Sequence, residues 1–207
     1  MSYSKLNHIG IIPDGNRRWA VRQGMRKEEG YMNGLIPGLM LVKKAKQLKV
    51  KEITFYGFTV DNCKRPKEQV EAFKKACVKA VELIANEGAD LLVVGNTESK
   101  CFPNELNKYT KRTRINGGGI KINFLVDYGW RWDLSQIKED GQPHSADISR
   151  IDLIIRWGGM RRLSGFLPIQ SVYSDFYVVD SFWPDYKNSD LEDAIRWYGK
   201  QEITLGG

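Results

Sequence analysis

Residues 8–20 read HIGIIPDGNRRWA, and this stretch decides the fold of the chain. Its apolar half, with three isoleucines, predicts a buried β-strand, and the Pro-Asp-Gly-Asn run predicts a turn. A helix is expected to follow at once, with Arg17 and Arg18 in its first turn. Such a junction places free backbone N–H groups, the positive end of the helix dipole and two guanidinium groups together. That combination is typical of a phosphate-binding pocket.

Asp14 introduces a carboxylate into this positive region. A carboxylate beside a phosphate site is useful when a divalent cation bridges the two, so Asp14 is a candidate metal ligand. A strand, a turn and a helix with aspartate as its N-cap is also a common structural element. The motif alone supports both interpretations equally.

Composition places the chain among globular proteins with one domain spanning residues 1–207, since 42% of its residues are hydrophobic and 28% are charged. The net charge of +7 suits phosphate-rich partners such as small diphosphates, nucleic acid or an anionic membrane surface. The sequence has no signal-peptide pattern and no apolar run of bilayer-spanning length. We therefore expect a cytoplasmic protein that contacts membranes peripherally if at all.

The three cysteines are Cys63, Cys77 and Cys101. Their odd number and the lack of CxxC spacing favour reduced thiols over a disulfide framework or a zinc site.

Short β-rich runs alternate with helical patterns along the chain. After the first strand, further strands are predicted over residues 53–58, 91–94, 120–126, 152–156 and 177–179. Helices are predicted over residues 35–48, from Pro66 onward, over 104–114 and over 190–200. Because few charges interrupt the strands, they are expected to be buried on both faces. The alternation predicts an α/β fold with a mostly parallel sheet.

Polar residues follow four of the predicted strands, at the edge where ligands of parallel sheets bind. They are Asp14 to Asn16 after the first strand, Thr59 to Arg65 after the second, Asp127 after the fourth, and Arg156 to Ser164 after the fifth. Arginine suits phosphate because its planar guanidinium group can form two parallel hydrogen bonds. Four loops of this composition predict a site for a phosphorylated ligand with Mg²⁺.

Four runs resemble the cis-prenyltransferases, the family that contains undecaprenyl diphosphate synthase. They are residues 8–20, 53–70, 126–133 and 152–186. The resemblance implies a six-stranded, mostly parallel sheet flanked by helices, in a protein that works as a dimer. It also implies a hydrophobic cleft at the carboxyl ends of the strands, roofed by the helix after Pro66, for an isoprenoid chain. The implied reaction joins an allylic diphosphate to isopentenyl diphosphate with Mg²⁺.

The resemblance also assigns roles to individual residues. Asp14 and Asp175 would hold the metal, and Asp14, Asn16 and Asn62 would be catalytic. The remaining residues would bind substrate: Gly15, Arg17, Arg18, Trp19, Arg26, Lys27, Tyr31, Phe58, Thr59, Arg65, Arg156, Arg162 and Ser164. For Trp19, core packing is an equal alternative to lining the cleft.

The chain departs from the family pattern at several positions. Tyr31 takes the place of a histidine, and either Arg26 or Lys27 that of an arginine. Cys63 replaces a tryptophan, and Thr204 stands where the family has a C-terminal arginine that reaches the neighbouring subunit. These changes favour a short-chain product or an irregular, non-head-to-tail linkage over long-chain synthesis.

A catalytically weak partner subunit of a heteromeric synthase is the alternative function, although its retention of Asp14 argues against it. We expect a homodimer, with a heterodimer left open. Nucleic-acid binding is not expected, because the arginines follow strand ends instead of forming one basic face.

Overall fold

The isoleucine-rich run forms strand β1 (His8–Ile12), and all of its residues are buried. The computed structural model describes residues 6–201, except for the side chains of Lys138 and Asp140. The other strands in this range are β2 (Glu52–Thr59), β3 (Ala89–Val94), β4 (Thr113–Ile115), β5 (Lys121–Tyr128), β6 (Leu153–Arg156) and β7 (Asp175–Val178). They form one sheet in the order β4-β3-β5-β2-β1-β6-β7.

All pairings are parallel except that of β3 with β4, so the predicted α/β class is confirmed. The sheet has one strand more than the expected six. The helix predicted over 104–114 is wrong, because that segment contains a 3₁₀ helix (Asn104–Tyr109) followed by β4. The β-branched residues Thr113 and Ile115 favour the extended pairing with β3 over a polar helix.

The α-helices are α1 (Asn16–Arg22), α2 (Gly30–Asn33), α3 (Leu35–Gln47), α4 (Lys67–Asn86), α5 (Trp130–Ser135), α6 (Ile137–Asp140) and α7 (Asn188–Tyr198). Apolar side chains alternate between the two faces of the sheet. Ile9 and Ile11 belong to a cluster formed with α3, α4 and α7, whereas Ile12 belongs to a smaller cluster on the other face. The second cluster is covered by Phe166 and Leu167.

The cysteine prediction is wrong for two of the three residues. Cys63 and Cys101 form a disulfide, with their Cα atoms 6.2 Å apart, while Cys77 is free and buried. The two partners are 38 residues apart in the sequence, so cysteine spacing gave no sign of the pairing.

A buried polar network lies where β1, β2 and β5 begin. His8 Nε2 lies 2.8 Å from Thr54 Oγ1, and Asn123 donates hydrogen bonds to both Thr54 and Glu52. The Ser149 hydroxyl donates to the second Glu52 oxygen at 2.7 Å. This network joins the amino ends of the central strands.

In the part of the chain that the structure describes, no helix combines the length and the apolar character needed to cross a bilayer.

Candidate active site

The carboxyl ends of the adjacent parallel strands β1, β2 and β6 open into a cavity of about 660 Å³. Its position is the one at which open parallel sheets bind their ligands. All but four of the site residues predicted from the sequence line it. The predicted residues that line the cavity are Asp14, Gly15, Asn16, Arg17, Arg18, Lys27, Tyr31, Thr59, Asn62, Arg65, Arg156, Arg162 and Ser164.

Asp14 is held at the base of this cavity by an ion pair. Its Oδ2 accepts a hydrogen bond from Arg156 Nη2 at 2.7 Å, and its Oδ1 accepts one from the Gly15 N–H at 2.6 Å. Arg18 Nη2 lies 3.5 Å from Oδ1. The Arg156 side chain is only 5% exposed, whereas that of Asp14 is 34% exposed. The carboxylate therefore has a fixed orientation and still reaches the cavity.

Gly15 is required by the turn that carries Asp14. Its φ of +104° lies in the left-handed region, and a Cβ there would lie 2.7 Å from the Phe182 ring. This glycine therefore lets the chain turn from β1 into α1 beside Phe182.

Three of the cavity's guanidinium groups have no carboxylate partner among residues 6–201, namely those of Arg17, Arg65 and Arg162. Arg17 donates to Gln69 Oε1 at 3.3 Å, and Arg65 donates to the Tyr31 hydroxyl at 2.9 Å. Burial lowers the pKa of Arg65. Unpaired guanidinium groups in a partly buried cavity favour an anionic ligand with several oxygen atoms.

Two buried polar atoms of the cavity residues lack a hydrogen-bond partner within the described chain, Asn16 Oδ1 and Arg156 Nε. Buried polar atoms of folded proteins almost always have a partner, and exceptions call for a specific explanation. Solvent or a ligand in the cavity would supply those partners.

Two of the four predicted residues outside the cavity lie near its first helix, Trp19 within α1 and Arg26 just before the 3₁₀ helix Lys27–Glu29. Trp19 points away from it, because its indole N–H donates to Asp185 at 2.7 Å. The Arg26 side chain is 76% exposed and pairs with Glu28 and Glu29. Of the two alternatives Arg26 and Lys27, only Lys27 lines the cavity, so Lys27 is the basic residue that this segment contributes to it.

Phe58 is fully buried beneath the cavity and packs edge-on against Phe73, with ring centroids 5.1 Å apart. The register of β2 against β5 shifts between Tyr56 and Phe58. Because of this irregularity, Tyr56 and Phe58 belong to different apolar clusters, although alternate residues of a regular strand share a face.

Asp175 is also not brought together with Asp14. It begins β7 and pairs with Leu153, the residue that begins β6. It therefore lies ~10 Å from the carboxyl end of the strand, since a strand rises about 3.3 Å per residue. Within one chain, Asp14 and Asp175 cannot share a metal ion.

Sequence reasoning missed other residues that line the cavity, among them Val21, Tyr56 and Gly57. The Tyr56 hydroxyl donates to the Ser164 carbonyl oxygen at 2.8 Å and so joins β2 to the loop after β6. Burial raises the pKa of Tyr56, so this donor keeps its proton. In the sequence, the only sign that Tyr56 belongs to the site was its position near the carboxyl end of β2, where the site lies.

A second, apolar cavity of about 80 Å³ adjoins the first. Helix α4 contributes Phe73, Ala76 and Ala80 to it, and Trp183 lies on its wall. Tyr31 and Phe73 line both cavities, and their rings stack with centroids 4.3 Å apart. The apolar space therefore begins where the cationic cavity ends.

Together, the sheet and its two joined cavities define an α/β protein built to hold an amphipathic ligand, anionic at one end and apolar at the other.

Comparison with known proteins gives this class a family. The family described as putative undecaprenyl diphosphate synthase matches residues 12–206 of this chain. An isoprenyl transferase of Streptococcus thermophilus is 34% identical over 234 residues, covering 97% of this chain and 93% of the relative. A ditrans,polycis-undecaprenyl-diphosphate synthase of Buchnera aphidicola is 31% identical over 229 residues, covering 98% and 92%. The chain belongs to the undecaprenyl diphosphate synthase family, the cis-prenyltransferases, which condense isoprenyl diphosphates.

A solved structure supports the fold. Lavandulyl diphosphate synthase from Lavandula x intermedia, in complex with dimethylallyl diphosphate, superimposes with a TM-score of 0.80 and 22% sequence identity. The match covers 97% of this chain and 98% of that one.

Proposed function

We propose that this protein is a Mg²⁺-dependent, short-chain cis-prenyltransferase whose allylic substrate is dimethylallyl diphosphate. The observation that carries the proposal is the small apolar cavity of about 80 Å³ beside the cationic one. A cavity of about 150 Å³ holds benzene, a six-carbon ligand. The space beside Phe73 is smaller than that, so it admits at most one five-carbon isoprenyl unit and is too small for a fifteen-carbon tail.

Aromatic residues support the same limit. The stacked rings of Tyr31 and Phe73 form one wall of the apolar cavity, and Trp183 lies on another. The Trp183 indole N–H donates to the Gly34 carbonyl oxygen at 2.9 Å, which fixes that ring. A longer tail would have to displace these rings from their packing.

The donor set fits Mg²⁺ at Asp14. Magnesium sites that act on phosphates use one or two carboxylates, with substrate oxygens and water completing the coordination. Asp14 supplies one carboxylate oriented by Arg156. Bound there, the ion would stabilise negative charge on the departing pyrophosphate.

The remaining residues divide between the two substrates. Arg17, Arg18 and Arg65 would bind the allylic diphosphate beside the start of α1. Arg162 and Ser164, which follow β6, would bind the second diphosphate. Arg156 holds Asp14 and also donates to the Ser164 hydroxyl at 3.0 Å, so it connects the two halves of the site.

The chain's contribution to the chemistry is charge stabilisation and exclusion of water. Arginines placed around the diphosphate favour its departure, because preorganised donors stabilise charge that develops in the transition state. The apolar cavity protects the allylic carbon skeleton from water during transfer. The second substrate supplies the attacking double bond, so a protein nucleophile is not needed.

An irregular linkage is the finer candidate within this function. The similarity in fold to lavandulyl diphosphate synthase, crystallised with dimethylallyl diphosphate, supports it. The C-terminal departure at Thr204 points the same way but lies outside the described residues. We propose a homodimer as the working assembly, with a heterodimer as the alternative.

Product analysis tests the proposal. The protein is incubated with Mg²⁺ and dimethylallyl, geranyl or farnesyl diphosphate, each with and without isopentenyl diphosphate, and products are identified by mass spectrometry and NMR. We expect turnover of dimethylallyl diphosphate to a ten-carbon diphosphate and little use of farnesyl diphosphate. The Phe73→Ala variant should accept the longer substrates. Efficient extension of farnesyl diphosphate by the unaltered protein would overturn the short-chain assignment.

A further inference from the structure

The disulfide between Cys63 and Cys101 ties the edge of the cationic cavity to a distant segment. Cys63 lies in the 3₁₀ turn Asn62–Lys64, between the cavity residues Asn62 and Arg65. Cys101 lies in the connection between β3 and the 3₁₀ helix Asn104–Tyr109. The bond therefore joins a ligand-binding turn to a part of the chain that does not line the cavity.

Noncovalent contacts hold this turn partly to itself and partly to β5, since the Val60 N–H donates to the Tyr128 carbonyl oxygen at 3.1 Å. The Thr59 N–H donates to Asn62 Oδ1 at 3.0 Å, and the Cys63 N–H donates to the Val60 carbonyl oxygen. Lys64 pairs with Asp61, but both side chains are at least 75% exposed, and such pairs contribute little stability. Arg65 reaches out of the turn to the Tyr31 hydroxyl. The disulfide is therefore its covalent anchor to the rest of the fold.

The paired cysteines are more exposed than the third one. Cys63 and Cys101 are half-buried, whereas Cys77 is buried and burial raises its pKa to about 12. Asp127, which is 1% exposed, lies beside the pair, with Oδ1 3.2 Å from Cys63 Sγ. Its other oxygen has no hydrogen-bond partner among the described residues. Two thiolates and this carboxylate would also suit a zinc ion, which an experiment must distinguish.

We propose that Cys63 and Cys101 form a reversible dithiol–disulfide couple that sets the affinity of the cavity for diphosphates. Its redox partner is a low-molecular-weight thiol such as glutathione. In oxidation, one thiolate attacks glutathione disulfide and releases one glutathione. The second thiolate then attacks the mixed disulfide and releases another. The protein loses two protons and two electrons, and glutathione disulfide gains them.

The expected consequence follows from preorganisation. With the bond closed, Asn62 and Arg65 are held at the cavity before a ligand arrives. With the bond open, each binding event must also order the turn, and this cost weakens the affinity for diphosphate by about three- to tenfold. Opening a crosslink between residues this far apart also lowers the melting temperature by about 5–10 °C.

The experiment compares the full-length protein after oxidation with glutathione disulfide and after reduction with dithiothreitol. Intact mass and iodoacetamide labelling report the bond, and zinc content is measured on the same samples. Calorimetric titration with dimethylallyl diphosphate and Mg²⁺ reports affinity. The Cys63→Ser/Cys101→Ser double variant serves as the redox-insensitive control. This inference depends on the proposed diphosphate site, and titration with inorganic pyrophosphate shows whether that site exists at all.

We expect the oxidised protein to be 2 Da lighter, since two hydrogens are lost. It should gain two alkylation sites on reduction, bind dimethylallyl diphosphate more tightly than the reduced protein and contain no zinc. The double variant should match the reduced protein under both treatments. Stoichiometric zinc held by the thiols, a bond that does not form, or equal affinity in both redox states would each overturn the couple. Absence of all diphosphate binding in both states would instead contradict the proposed function, while mass and labelling would still report the bond.

Discussion

The amino ends of the parallel strands (the amino edge) and their carboxyl ends (the carboxyl edge) use similar polar residues in opposite ways. At the amino edge, His8, Glu52, Thr54 and Asn123 are buried and bond to one another. Among the buried side-chain atoms of these four residues, only Asn123 Oδ1 lacks a partner within residues 6–201. At the carboxyl edge, three guanidinium groups have no carboxylate partner in the part of the chain that the structure describes, and they face a cavity. The comparison indicates that the amino edge serves stability and the carboxyl edge serves binding.

Glu52 at the amino edge and Arg65 at the carboxyl edge differ in the partners that surround their charges. Burial by itself raises the pKa of Glu52, but His8 and hydrogen bonds from Ser149 and Asn123 outweigh it and the pKa is lowered. Glu52 therefore has the partners that its charge needs. Among the described residues, the Arg65 guanidinium contacts the Tyr31 phenol oxygen and the face of Phe73, with its carbon 5.7 Å from that ring's centroid, and it has no carboxylate partner. A substrate phosphate would supply the counter-charge that the fold omits.

The largest expected effect is that of Asp14→Ala. Removing the only carboxylate proposed to bind the metal should lower kcat/KM by about 10³-fold or more, since metal stabilisation of the leaving group contributes several kcal/mol. The melting temperature should also fall, because the change leaves the nearly buried Arg156 guanidinium without its carboxylate partner. Turnover is therefore measured at a temperature at which the variant is folded. Steady-state kinetics and thermal unfolding measure both. Asp193→Ala, which removes an exposed ion pair with Arg196, is the matched control. Near-normal turnover in Asp14→Ala would remove Asp14 from the metal role.

The opposite result is expected at the amino edge for Asn123→Leu. This change leaves the buried Glu52 carboxylate without its amide donor, and a lost hydrogen bond to a charged group costs about 1.5–3 kcal/mol of unfolding free energy. Urea denaturation measures the loss, with the exposed Asn107→Leu as control. The KM for either substrate should stay unchanged in the folded variant. A change in KM without a loss of stability would mean that the two edges are not functionally separate.

A smaller effect should separate the two halves of the cavity. Arg162→Ala is expected to raise the KM for the second diphosphate about tenfold, the loss of one charge-assisted contact, with less change for the allylic one. Arg65→Ala should show the reverse preference. Initial rates at varied concentrations of each substrate measure this, with the exposed Arg196→Ala as control. Equal effects on both substrates would contradict the division of the site.

The smallest effect is a pH dependence of stability that originates at the amino edge. Burial lowers the pKa of His8, against the opposing charge of Glu52. Below the ordinary histidine pKa of about 6.5, the unfolded chain binds a proton that folded His8 resists, so stability falls on acidification. Thermal unfolding at pH 7.5 and 5.5 should therefore show a lower melting temperature at pH 5.5. His8→Asn should reduce that difference, and an unchanged difference would assign it to other groups.

Sequence reasoning reached the fold class and most of the cavity because both depend on local patterns. Buried strands followed by polar turns place Asp14, Arg65 and Arg162 at one edge once the sheet is parallel. It failed where tertiary geometry decides. The irregularity near Gly57 turned Phe58 away from the cavity, and strand register put Asp175 at the far edge. Neither the irregularity in β2 nor the register of β7 can be predicted from residue spacing.

The failures at Trp19 and at the cysteines have the same origin. Trp19 is on the helix that begins at the site, but its indole N–H finds Asp185 on a distant turn. Cys63 meets Cys101 only because the segments after β2 and β3 are brought together by the fold.

The most direct test of the central claim is a crystal structure of the protein with Mg²⁺ and a non-hydrolysable analogue of dimethylallyl diphosphate. The diphosphate should lie among Arg17, Arg18 and Arg65, with the metal on Asp14 and the five-carbon tail beside Phe73. A diphosphate bound elsewhere, or a tail in solvent while the apolar cavity stays empty, would contradict the claim.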